Sequence, residues 1–143
     1  MQVFISHSYQ DAELARKLAG SLRENGLRPW LAEEEVFPGD NWGEVTGRAL
    51  SESDAMVALV TPVSGAAPQV RQDIAFALTR KAYANKVIPL IVGNRDDVPP
   101  NALPWIMNRY KMVEIPSGDQ MPMAAEQIVG ALRGHESMLE TAA

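Results

Sequence analysis

Two kinds of hydrophobic pattern alternate along the chain. Unbroken apolar runs stand at Val3–Ile5, Ala55–Val60 and Val87–Val92, and between them apolar residues return every three or four positions. Runs of this kind suit strands covered on both faces, as in a parallel sheet, and the helical period suits helices laid across it. The first run opens into Ser6-His7-Ser8 and then a helix from about Gln10 to Asn25. Leu14, Leu18 and Leu22 form its apolar stripe, backed by Ala15 and Ala19. Ser8 and Asp11 have the spacing of a capping pair, and Asn25-Gly26 is a stop signal. Ser8 therefore has two compatible roles, helix cap and ligand contact.

Leu27–Leu31 is a short second strand, and Pro29 inside it points to a sheet edge. Glu33–Glu35 reads as a solvated loop, because hard-metal loops alternate their ligands with a turn-forming glycine. Pro38-Gly39 marks a turn, after which Asp40-Asn41 can cap a helix over Trp42–Glu52 carrying Val45, Ala49 and Leu50. Asn41 and Glu44 have capping-box spacing. Ala55–Val60 is the third strand, Thr61–Pro68 a loop of small residues, and Pro68 the first residue of a helix with Val70, Ile74 and Leu78 on one face. Val87–Val92 is the fourth strand, Asn94–Pro104 is irregular, and Lys111–Ile115 is the fifth strand. Met121–Arg133 forms the last helix, with Ala124, Ile128 and Leu132 inward. His135–Ala143 has little to bury and is expected to be a flexible tail or the start of a linker, so the domain covers residues 1–134.

This order predicts an α/β fold, a flavodoxin-like, doubly wound sheet of about five parallel strands with helices on both faces. Ligands of such sheets bind beyond the carboxyl ends of the strands, where strand order reverses. Ser6-His7-Ser8 would stand at that crevice.

Composition narrows the choice of chemistry. The 143 residues, 46% apolar and 22% charged, make one globular domain, and a net charge of -5 argues against a nucleic-acid partner. No apolar run is long enough to span a bilayer, and the first residues read as core strand instead of a signal peptide, so a cytoplasmic location is expected. With no cysteine and with His7 and His135 far apart, no metal is expected. Sequence order leaves a Ser-His-Asp triad open, yet there is no Gly-x-Ser-x-Gly elbow. Neither Gly-x-Gly-x-x-Gly nor a Gly-Lys-Ser/Thr phosphate loop is present. The acids of an aspartyl-phosphate site are replaced by Ser6-His7 and Thr61-Pro62.

Four blocks in order resemble a TIR (Toll/interleukin-1 receptor) domain of the bacterial type, from about Val3 to Arg133. They are Val3-Phe4-Ile5-Ser6-His7-Ser8 with Asp11; Trp30-Leu31 with Pro38-Gly39-Asp40-x-Trp42; Ala49-Leu50 and Ser53 leading into Met56–Val60 and Thr61-Pro62; and Val70-Arg71-x-x-Ile74-Ala75-x-Ala77-Leu78 with Ile88-Pro89-Leu90. The resemblance implies one of two functions. One is cleavage of NAD at the nicotinamide–ribose bond, as an NAD glycohydrolase or ADP-ribosyl cyclase, in immune signalling, antiphage defence or effector action. The other is a scaffold acting by contact with other TIR domains, as a homo-oligomer or filament. NAD enters as substrate, no cofactor is implied, and a fused or separate sensor domain is a common companion.

The enzymatic members use a glutamate four residues after a tryptophan in the fourth block. Here those positions hold Asp73 and Gln69, and a serine usual before them is Ala67. The acid usual after Trp30 is Ala32, with Glu33 beside it, and a basic residue often found before the Pro-Gly turn is Phe37. The resemblance makes Asp73 the candidate catalytic carboxylate and Ser6, His7, Ser8, Glu33, Phe37, Trp42 and Gln69 the candidate substrate contacts. Phe37, Pro38, Gly39 and Trp42 are the candidate assembly surface. Asp73 is also a favourable acid early in a helix. Trp42 is open to ring stacking, packing on the sheet or assembly, whereas Trp30 is expected in the core.

Overall fold

The computed structural model describes residues 1–63, 67–104, 106–107 and 110–142, with the backbone alone for 135–142. Five strands form one parallel sheet in the order β2-β1-β3-β4-β5. They are β1 (Gln2–Ser6), β2 (Arg28–Trp30), β3 (Ala55–Val60), β4 (Val87–Val92) and β5 (Val113–Ile115). The helices are α1 (Ala12–Glu24), α2 (Ala32–Glu35), α3 (Trp42–Glu52), α4 (Pro68–Leu78) and α5 (Met121–Ala142).

Side-chain alternation along the strands divides the core into two layers. Val3, Ile5, Val57, Leu59 and Leu90 pack with Leu18, Leu22 and Ile128 on the face of α1 and α5. Phe4, Met56, Ala58 and Ile91 pack with Leu50, Ile74 and Ala77 on the face of α3 and α4. Every residue of β3 and of β4 is buried, as their unbroken apolar runs predict. Pro29 sits in edge strand β2, and Trp30 beside it stacks on Phe4 with ring centroids 5.1 Å apart.

The structure revises three local expectations. Glu33–Glu35 belongs to the short helix α2 instead of a loop. Asp11 does not serve as the acid of a capping pair with Ser8; it makes no capping hydrogen bond, and its carboxylate accepts from the Thr61 hydroxyl at 3.1 Å. The last helix runs on to Ala142 instead of ending near Arg133. Residues 64–66 of the expected loop, and Ala143, lie outside the described residues.

Two residues at the carboxyl ends fix the backbone closely. Gly93 has φ +121, and a Cβ there would stand 3.0 Å from the Pro62 ring, so the turns after β3 and β4 touch. Thr61 and Asp11 make the corresponding tie between β3 and the segment after β1.

Leu59, 1% exposed, tests the two-layer core. Leu59→Ala is expected to cost about 3 kcal/mol, read as a lower urea midpoint at unchanged slope. Val63→Ala, at a position 79% exposed, is expected to leave the midpoint in place.

Candidate active site

Strand order reverses between β1 and β3, and the segment after β1 carries the polar residues of a small cleft there. Ser6 ends β1 and is buried; its hydroxyl donates to Asp73 Oδ2 at 2.7 Å. Asp73 faces the sheet from the first half of α4, on the same buried face as Val70, Ile74 and Ala77. Burial pushes its carboxyl up from the ordinary 3.8, against the opposing effects of the Ser6 hydrogen bond and the nearby His7.

His7 is buried and held at both ring nitrogens. Nδ1 lies 2.7 Å from the Ser8 carbonyl oxygen and Nε2 lies 3.0 Å from Glu33 Oε2. The Ser8 carbonyl can only accept, so Nδ1–H donates to it, and Nε2 faces the Glu33 carboxyl. Glu33 is exposed along its backbone, but its side chain turns inward and is 23% exposed. The solvated-loop reading therefore fails for this one of the three glutamates.

Six of the sequence-derived residues share the cleft: Ser6, His7, Glu33, Trp42, Gln69 and Asp73. Ser8 and Phe37 are not among its walls. Ser8 caps the turn Tyr9–Asp11, accepting from Gln10 N–H at 3.3 Å. Phe37, 63% exposed, opens a Pro-Gly turn in which Asp40 N–H donates to the Phe37 carbonyl at 3.0 Å. Phe37 N–H in turn donates to Asp40 Oδ2 at 2.9 Å. Gly39 supplies the φ of +94 that such a turn requires, and Asn41, not Asp40, caps α3.

Two wall residues escaped the sequence reading, Tyr9 and Thr46. Tyr9 is 81% exposed at the rim and leaves no pattern to detect. Thr46 does leave one, because it shares the buried stripe of α3 with Ala49 and Leu50. Its Oγ1 is buried without a hydrogen-bond partner among the described residues, which costs about 1–3 kcal/mol.

The cleft has a volume of only about 40 Å³. Nucleotide-sized ligands need roughly 300–1,000 Å³. A wider groove of about 810 Å³ lies at the amino ends of β4 and β5, between Val87, Tyr110, Val113 and Gln127. It gathers no set of convergent titratable groups and sits at the end of the sheet where such folds do not bind ligands.

A 2-1-3-4-5 parallel sheet with a buried carboxylate at its reversal point defines a doubly wound α/β domain with a polar crevice. The chain belongs to the TIR-domain family, whose family model matches residues 3–129. The TIR domain of the Toll-related receptor TRR-2 from Hydra magnipapillata is similar in fold, with a TM-score of 0.69 at 17% identity over 92% of this chain and 97% of that one. A metazoan TIR-STING receptor from C. gigas, solved with 2',3'-cGAMP, has a TM-score of 0.63 at 21% identity. That match covers 86% of this chain and 38% of the receptor. No curated protein matches the chain. No helix among the described residues is long and apolar enough to cross a membrane.

The raised carboxyl has a defined effect on stability. Below 3.8 Asp73 is protonated folded and unfolded alike, and burial carries no charge penalty. As pH rises through the folded value the penalty appears, so this contribution is present in acid and lost toward neutrality. Asp73→Asn, which can still accept from Ser6, is expected to raise Tm at pH 7. The gain is about 2–4 °C per kcal/mol relieved, and it should vanish below pH 3.8 in a thermal melt series.

Proposed function

We propose that this TIR domain binds and cleaves NAD at the nicotinamide–ribose bond when it is self-assembled, acting in bacterial immune signalling or effector action. The observation that carries the reading is Asp73, a buried carboxylate fixed by Ser6 at the sheet's reversal point. Nicotinamide leaves a cationic nitrogen as a neutral molecule and keeps the bonding pair, so no general acid is needed. Positive charge develops on the ribose, and a carboxylate in a water-poor cleft stabilises it more than one in bulk solvent. Attack by water at the anomeric carbon, with loss of a proton, gives ADP-ribose; attack from within the molecule gives a cyclic product. Asp73 is one methylene shorter than the family's glutamate. Its place against the sheet, on the buried face of α4, supports a carboxylate that still reaches the ribose.

TIR domains commonly act through other TIR domains, and the turn at Phe37 supports that here. It is closed by two internal hydrogen bonds and displays an aromatic ring, and Trp42, five residues on, is 46% exposed. Similarity to two receptors supports a signalling role, and the TIR-STING receptor, of which 38% is covered, supports a companion sensor domain.

The size of the cleft favours a second reading, a scaffold that signals by TIR–TIR contact without turnover. Nicotinamide release from NAD at high protein concentration, with products separated by chromatography, decides between them. The enzyme reading expects release that falls at least a hundredfold in Asp73→Ala and declines on acidification through the raised carboxyl value. Absence of release at every concentration, with release appearing in Asp73→Glu, would establish the scaffold.

Phe37→Asp is expected to abolish the concentration dependence of turnover and of light scattering. Tm should stay within the range of an ordinary surface substitution.

A further inference from the structure

Helix α3 puts a hydroxyl where its stripe calls for hydrocarbon. Thr46 is 7% exposed and lines the cleft together with Ser6 and Asp73. A hydroxyl on a helix has a ready acceptor in the carbonyl four residues back. The same segment uses that acceptor twice, from Ser51 to the Gly47 carbonyl at 3.1 Å and from Ser53 to the Ala49 carbonyl at 2.7 Å. Thr46 does not, and its Oγ1 is left without a partner among the described residues. Valine has nearly the same shape and would strand no polar atom, so folding alone does not ask for threonine here. An orphan polar group at a cleft, beside a buried carboxylate, marks a place where a local rule yields to a ligand.

We propose that Thr46 is a specificity-determining residue: its Oγ1 hydrogen-bonds one hydroxyl of a ribose cis-diol while Asp73 accepts from the other. This rests on the NAD reading above and adds to it the group that recognises the sugar. Ionised Asp73 can only accept, whereas a threonine hydroxyl both donates and accepts, so the pair satisfies two adjacent sugar hydroxyls whichever way their protons turn. A space of about 40 Å³ has room for a few waters at most, so the part of a ligand that enters it is no larger than the hydroxyl edge of a sugar, with the base and phosphates outside. Trp42 and Gln69, at exposed positions of the same wall, then border the part of the ligand that stays out.

The test is calorimetric titration of the wild type, Thr46→Val and Thr46→Ser with ADP-ribose, with ADP as the probe lacking the second ribose, alongside thermal melts. Thr46→Val is expected to bind ADP-ribose about tenfold more weakly, the loss of one hydrogen bond of about 1.4 kcal/mol, with ADP binding unchanged. It should also melt above the wild type, because the stranded hydroxyl is gone. Thr46→Ser keeps the hydroxyl and should keep the affinity. Undiminished ADP-ribose binding by Thr46→Val would overturn the inference while leaving the NAD reading intact. So would a lower Tm in that variant, which would show the hydroxyl to be satisfied within the fold. A wild type that binds neither NAD nor ADP-ribose would remove the NAD reading and this inference together.

Discussion

The hydrogen bond from Ser6 to Asp73 joins the end of β1 to the buried face of α4 across 67 positions of sequence. Both of its partners line the cleft. A carboxylate facing a sheet would be costly if unpartnered, since burial disfavours its charge. Ser6 is the nearest compensation, and His7 follows directly because the backbone leaves β1 at that point. The residue after a central parallel strand is thus both a structural partner for the acid and the first wall of the crevice. That explains how a site of this kind is built from very few side chains on a sheet that is otherwise hydrocarbon.

The second wall is of a different kind. α2 and the start of α3 hang from edge strand β2, and their link to the cleft is the contact of Glu33 with His7 together with the approach of Trp42 and Thr46. The Phe37 turn lies between these two helices and is stabilised within itself. The turn is therefore continuous in the chain with the wall that carries Glu33, Trp42 and Thr46, without lining the cleft itself.

Much of this was legible in the sequence, for identifiable reasons. The unbroken runs Ala55–Val60 and Val87–Val92 could only be strands covered on both faces, and both ends of each agree with the structure. Pro29 marked the edge, and the four motif blocks pointed to the family whose model matches residues 3–129. Tertiary pairings were not legible. Glu33 stood out only by its place beside Ala32, with no sign that the fold would bring His7 to it, and Asp11 read as the acid of a capping pair with Ser8 until Thr61 arrived from 50 residues away. Thr46 was detectable in principle as a polar residue on an apolar stripe. The stripe is short, however, and threonine is mild enough in hydropathy that the period survives it.

The Asp11–Thr61 bond and the Gly93–Pro62 approach together give the crevice one immovable jaw. They join the segments that follow β1, β3 and β4 to one another. The opposite wall follows the three-residue edge strand β2, and Glu33 ties it back to His7 at the end of β1. One rim of the crevice is thus joined strand to strand, whereas the other hangs on a single side-chain pair.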